Sequence, residues 1–295
     1  MSGSNNYFNT LIYMLLQVKK LKALENAVIE GEKVVLYGPN GGGKSTIIHL
    51  LLLALSKLSS RRYYSSAVLP EPAFEGAEAV VKFREFQVEI KGNAFVARMG
   101  GAEWKSSVTS PDGWGRDLVV WHIDEVRAVQ VGAARECGAR EYALGRQEVA
   151  FAGVRPEDVE IAVACPPVAG RLYLEAYYDH ARDPGLGRWI PLANLSYGQR
   201  RRLAIETALE TGDFVAVENF EAGLHIDYIA DLMSAIARSR AAVVLETHSG
   251  LVLRLAMRRG LAAYYIDRGA RRIERLDDVE LFRRELAAYH AVVVS

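Results

Sequence analysis

The sequence predicts an α/β fold, a mainly parallel core sheet covered by helices beside a smaller antiparallel sheet. Three observations predict it. From "FVAV" (214–217) onward, short apolar runs alternate with helix-length stretches. The run "KVVLY" (33–37) reads as a buried strand and ends at a glycine-rich segment. Residues 79–98, "AVVKFREFQVEIKGNAFVAR", alternate apolar and polar positions around "KGN", the signal of a β-hairpin.

Along the chain, "KVVLY" is followed by helical character over 44–58. Residues 59–78, rich in Ser, Arg and Pro, read as a surface connection. After the hairpin come a Gly/Ser/Pro-rich loop over 100–115 and a strand at "LVVWHI" (118–123). Residues 126–150, rich in Ala, Arg and Glu but interrupted by glycines, read as broken helix. "RLYLEAYYD" and "GRWIPL" flank "HARDPGL" as a second hairpin, and an Arg-rich amphipathic helix covers 196–210. The remainder reads as strand "FVAV", helix 226–239, strand "AAVVLE", helix "LVLRLAMRRG", a hairpin of "AAYYID" and "RRIERL", and a terminal helix over 277–289.

The chain has 295 residues, 50% of them hydrophobic, enough for one large core or a core plus a subdomain. Its net formal charge is zero, so no global field draws it to nucleic acid or to an anionic membrane, although a local basic patch stays open. Cys137 and Cys165 are far apart and lack metal-ligand neighbours, which predicts reduced thiols. The N-terminal "LIYMLLQVKK" lacks a basic leader and a cleavage site, and "IIHLLLLAL" (47–55) is about half a membrane span. A soluble, cytoplasmic protein is expected.

"GPNGGGKST", Gly38 to Thr46, matches G-x-x-x-x-G-K-[ST] between a strand and a helix. Gly38, Asn40, Gly41, Gly42 and Gly43 form a loop whose backbone N–H groups can turn inward around phosphates, and the helix N-terminus adds partial positive charge. Lys44 is placed to reach the β- and γ-phosphates of ATP, and the Ser45 hydroxyl to ligate Mg²⁺, with Thr46 completing the motif. About 150 residues on, "LSYGQ" starts a helix at Ser196, with Gly198 and Gln199 in its first turn. An apolar strand then ends in an acid at Glu218, and "VVLETHSG" places His248 just past another strand.

That order of motifs resembles the ATP-binding-cassette ATPases over nearly the whole chain. The resemblance implies a P-loop NTPase of the ABC-ATPase head type, with an antiparallel β-subdomain and a small helical insert. It implies one domain over 1–295, in which 1–125 and 190–295 form the nucleotide-binding core and 126–189 the insert. It also implies a head-to-tail homodimer sandwiching two ATP molecules. Ser196 and Gly198 of one copy would contact the γ-phosphate held by Lys44 of the other, and His248 would hold that phosphate in its own subunit. "ENFEAGLH" (218–225) is similar to the segment of SMC-, RecF- and OLD-like ATPases, with Phe220 and Ile226 in place of prolines. Only about 70 residues separate "LVVWHI" from Ser196 without sustained heptads, so a short insert replaces the coiled-coil arms.

On this resemblance Glu218 would hold Mg²⁺ through water. Asn219 would stand where a water-activating carboxylate is usual; an amide orients water but takes no proton. Slow turnover is therefore expected, with Glu221 the nearest substitute carboxylate. Asp124 is a candidate Mg²⁺ or water contact, and Tyr13 is open between an adenine-stacking residue and a core tyrosine. His225 is open between a seam role and a plain loop position. Arg200, Arg201 and Arg202 are open between a phosphate-backbone contact and the solvated face of their helix with contacts to the partner subunit. The function expected is a nucleotide switch acting on DNA or a protein partner. A transporter ATPase with a membrane subunit fits "ENFEAGLH" less well, and Asn219 motivates a third reading, a non-hydrolysing scaffold.

Overall fold

The computed structural model describes residues 14–59, 76–110, 113–116, 118–125, 127–131, 141–143, 151–152, 180–183, 188–191 and 196–293. Tyr13, Cys137 and Cys165, and most of the expected insert, lie outside the described residues.

The core is a sheet of nine strands in the order β11-β10-β9-β8-β14-β15-β3-β16-β17. Its centre is parallel: β8 (Val120–Ile123), β14 (Phe214–Val217), β15 (Ala242–Thr247), β3 (Lys33–Tyr37) and β16 (Ala262–Ile266). These strands are mostly apolar because both faces are covered, with His122 on β8 and Glu246 on β15 among the polar exceptions. Phe214, Ala216 and Val244 face one hydrophobic cluster, and their neighbours Val215, Val217 and Leu245 face the other. At the edges, β9 (Arg127–Val131), β10 (Glu141–Ala143), β11 (Phe151–Ala152) and β17 (Ala270–Arg272) add antiparallel strands. The expected broken helix at 126–150 is therefore strand where it is described, since "RAVQV" finds the open edge of β8.

The second sheet has six antiparallel strands, β2-β1-β4-β5-β6-β7. It comprises β1 (Met14–Leu21), β2 (Leu24–Glu30), β4 (Glu78–Phe83), β5 (Phe86–Lys91), β6 (Ala94–Met99) and β7 (Ala102–Ser107). The expected hairpin at 79–98 is thus three strands, and the expected loop at 100–115 contains β7, turned back by Gly100 and Gly101 at positive φ. A separate pair, β12 (His180–Asp183) and β13 (Arg188–Pro191), is antiparallel, so "HARD" is strand rather than turn.

Helix α1 (Lys44–Ser59) lies between the two large sheets. Every residue from Leu50 to Ser59 is buried, which accounts for "IIHLLLLAL": a helix apolar all round is one covered all round. The opposite face of the core sheet carries α2 (Tyr197–Thr211), α3 (Ile226–Arg238) and α4 (Gly250–Arg258). The last helix, α5 (Glu280–Val293), packs through Phe282 against α4 and Tyr37. No helix among the described residues is long and apolar enough to cross a membrane.

Candidate functional site

The carboxyl ends of β8, β14, β15 and β3 open into a cleft of about 860 Å³, lined by Gly38, Pro39, Asn40, Ser45, Asp124, Glu125, Glu218, Asn219, Glu246, His248 and Leu281. The loop 38–43 leads from β3 into α1. A Cβ on Gly38 or Gly42 would lie 2.3 or 2.4 Å from the carbonyl oxygen of Ile266, so at these two positions the loop sits against the end of β16 with no room for a side chain. The Lys44 ammonium donates to the carbonyls of Gly38 (3.0 Å) and Pro39 (2.8 Å) and lies 3.8 Å from Glu246 Oε1. Burial pushes its pKa down, against the raising influence of Glu246 and Glu221.

Two acids face this loop. The Ser45 hydroxyl, expected to share an ion with Glu218, donates instead to Glu246 Oε2 at 2.8 Å. Glu246 is the penultimate residue of β15 and is 6% exposed. Burial raises its pKa, the Ser45 hydrogen bond opposes the rise, and the charge of Glu218 adds to it. Glu218 Oε1 instead accepts from two imidazoles, His49 Nε2 on α1 (2.7 Å) and His122 Nε2 on β8 (2.8 Å). Burial alone would raise the Glu218 pKa, but the hydrogen bonds from His122 and His49 outweigh it and bring it down to about 2.

His248 Nδ1 lies 3.1 Å from the Gly38 carbonyl and 3.5 Å from the Lys44 ammonium, and Nε2 lies 3.8 Å from Glu246 Oε1. Glu221 is bound elsewhere: one oxygen accepts from the Thr247 hydroxyl (2.7 Å), the other from the His248 backbone N–H (2.9 Å). Asn219 has φ +43, a left-handed conformation that asparagine tolerates better than glutamate. Its amide donates to Glu125 Oε1. Asp124 reaches the cleft wall.

Arg201 corrects the reading of the arginine run. It is fully buried, and its guanidinium donates to the carbonyls of Asp124 (2.6 Å), Glu218 (2.6 Å) and Asn219 (2.9 Å). Arg200 is buried too, and Arg202 pairs with Glu206 and stacks 4.6 Å over Tyr228. Arg201 ties α2 to the ends of β8 and β14, and Arg202 packs against the neighbouring helix, so a wholly solvated face does not describe the run.

Ser196, Gly198 and Gln199 do not line the cleft. Ser196 and Gln199 form a capping box at the start of α2: Ser196 Oγ accepts from the Gln199 N–H (3.2 Å), and Gln199 Oε1 accepts from the Ser196 N–H (2.8 Å). The Ser196 hydroxyl proton stays available to a donor role, and the residue is exposed. A Cβ on Gly198 would lie 2.3 Å from the Gly223 carbonyl oxygen, and one on Gly223 (φ +66) would lie 2.0 Å from the Tyr197 ring. "SYGQ" and "EAGLH" therefore interlock. His225, 69% exposed, caps α3 by accepting from the Asp227 N–H (3.4 Å).

Sequence reasoning missed Glu246, His49 and His122. The signal was a polar residue inside an apolar run: "IIHLLLL", "VVWHI" and "AAVVLE" each place one on an element that must be buried.

Residues 156–255 match the family model described as AAA domain, putative AbiEii toxin, Type IV TA system. No curated protein matches the chain. Among solved structures, the SMC head bound to the C-winged-helix domain of ScpA is similar at 12% identity and TM-score 0.51, covering 89% of this chain and 96% of that one. The SMC head domain from Thermotoga maritima is similar at 15% identity and TM-score 0.47, covering 89% and 98%. The chain has the head fold of the SMC-type P-loop ATPases.

Proposed function

We propose that this chain binds Mg·ATP in the cleft under Gly38–Thr46, hydrolyses it slowly, and pairs head-to-tail with a second copy through the nucleotide. The observation that carries this reading is the convergence of Lys44, Ser45, Glu218, Glu246 and His248 on one cleft whose size suits a nucleotide. The residues fit the ligand chemically. A loop with no room for a Cβ at Gly38, Gly42 or Gly43, a buried ammonium and a helix N-terminus suit phosphates, and a hydroxyl beside two carboxylates suits Mg²⁺.

Asn219 cannot accept a proton, and both oxygens of Glu221 are engaged. Glu246 is the carboxylate that lies between Ser45, Lys44 and His248, so we assign it the proton of the attacking water. Its raised pKa supports that role, as the low pKa of Glu218 supports a fixed charge toward Mg²⁺. Mg²⁺, when bound, supplies charge neutralisation for the transferred phosphoryl group. His248 is oriented by the contact of its Nδ1 with Gly38, and Glu221 positions it. Ser196 and Gly198, exposed or packed away from their own cleft, are the groups offered to the other copy's γ-phosphate. ATP would then favour the paired form and act as a switch on a DNA or protein partner.

Nucleotide affinity and light-scattering mass, measured on the same samples, test this. Lys44→Ala should lower ATP affinity at least about 100-fold, the loss of a buried charge-assisted contact to phosphate. Ser196→Arg should keep affinity and lose the ATP-dependent dimer. Unchanged affinity in the first variant or an unchanged dimer in the second contradicts the corresponding half of the reading. Tight binding with no turnover in the wild type favours the non-hydrolysing scaffold.

A further inference from the structure

His49 lies one helical turn beyond Ser45 on α1, and His122 lies on β8 beside β14. Both are polar interruptions of apolar elements, and His122 is 4% exposed. Their Nε2 atoms converge on the same oxygen, Oε1 of Glu218, at 2.7 and 2.8 Å, with the rings in an edge-on arrangement 5.8 Å apart. One ligand atom from each of the three residues lies within 4.8 Å of the other two. A carboxylate that needed only to be held in place could be held by a single hydroxyl or amide. Two imidazoles on one oxygen form a donor set of two neutral nitrogens and one anionic oxygen.

We propose that His49, His122 and Glu218 form a binding site for a borderline divalent transition-metal ion of the Zn²⁺ class, distinct from the Mg²⁺ position at Ser45. Imidazole nitrogen suits such ions, whereas Mg²⁺ keeps oxygen ligands in near-octahedral geometry. Three protein ligands leave a coordination position open, and Glu218 lines the cleft, where water or a phosphate oxygen can complete the shell. With bonds of about 2.0–2.2 Å to the ion, a tetrahedral set needs its donors roughly 3.3 Å apart. Each Nε2 would therefore move away from the oxygen by about half an ångström or slightly more, and its proton would pass to solvent while Nδ1 takes one up, so that the imidazole stays neutral and binds the ion through the Nε2 lone pair. The Glu246–Ser45 pair remains an all-oxygen site beside it. The inference does not need bound ATP, although it shares Glu218 with the nucleotide reading.

The test is a Co²⁺ titration of the metal-free full chain near neutral pH, without nucleotide. The expected result is one equivalent bound, with the strong visible absorption of four- or five-coordinate Co²⁺, resistant to a large excess of Mg²⁺ and displaced by Zn²⁺. His49→Ala, His122→Ala and Glu218→Gln should each weaken binding by about 100-fold or more, since even indirect supports of a metal ligand are worth about 10–100-fold. Faint six-coordinate absorption, displacement by Mg²⁺, or equal affinity in the folded histidine variants would overturn the proposal and leave the imidazoles as a clamp on Glu218. If a histidine variant does not fold, the wild-type spectrum with the Mg²⁺ competition and the near-isosteric Glu218→Gln decides.

Discussion

The Glu218 and Glu246 corners of the cleft hold the same side chain at the ends of neighbouring parallel strands and treat it in opposite ways. At the Glu218 corner two imidazoles meet one carboxylate oxygen, and Arg201 donates from below to three carbonyls, so both charge and backbone are fixed. At the Glu246 corner the carboxylate accepts one hydroxyl and faces Lys44 and His248 across 3.8 Å gaps. Burial pushes the pKa of both acids up; at Glu218 the two imidazole hydrogen bonds outweigh it and bring the value down to about 2, while at Glu246 the value stays raised. An acid's role cannot be read from its position at a strand end alone.

The comparison can be broken at the Glu218 corner most strongly through Arg201. Arg201→Met removes charged donors from three buried carbonyls and is expected to cost about 3 kcal/mol in urea unfolding. A change below about 0.5 kcal/mol would mean the corner is held by packing alone. Acid titration of stability sharpens the contrast next. The folded-state pKa of Glu218 is depressed, so its contribution is present above its unfolded pKa and is lost as pH falls toward about 2. That contribution is on the order of 2–3 kcal/mol, and Glu218→Gln, compared in chelator, should lose less stability than wild type between about pH 4.5 and 2. A parallel pH curve for the two proteins would remove the fixed-charge account. The smallest effect is expected at Asn219. Asn219→Glu places a longer acid in a left-handed conformation beside the Glu125 carboxylate, costing about 1–2 kcal/mol. Turnover should not rise; a several-fold gain in kcat would show that a base at 219 is what the site lacks.

Much of this molecule was legible because backbone chemistry leaves strong marks. "GPNGGGKST" had to be a glycine loop between strand and helix, and "FVAV" and "AAVVLE" had to be covered on both faces. The strands β1 and β2 were not read, since "MLLQVKKLKALENAVIE" mixes spacings that suit either period. β9 was read as helix because composition favours helix there, while the open edge of β8 decides for strand. At the site, the acid of "VENF" was found from its place in the motif order. Glu246 was passed over as the last letter of an apolar strand, and its pairing with Ser45 depends on α1 and β15 meeting 201 positions apart. Arg201 looked like surface because three arginines in a row suggest solvent; only the docking of α2 on the ends of β8 and β14 buries it.

The central claim is that Glu246, and not Asn219 or Glu221, takes the proton from the attacking water. Single-turnover hydrolysis at saturating Mg·ATP tests it most directly, with Glu246→Gln set against wild type and nucleotide affinity measured on the same samples. The account predicts a loss of about 100-fold or more in the hydrolytic rate with affinity changed by no more than a few-fold. An unchanged rate in Glu246→Gln with intact binding would contradict it.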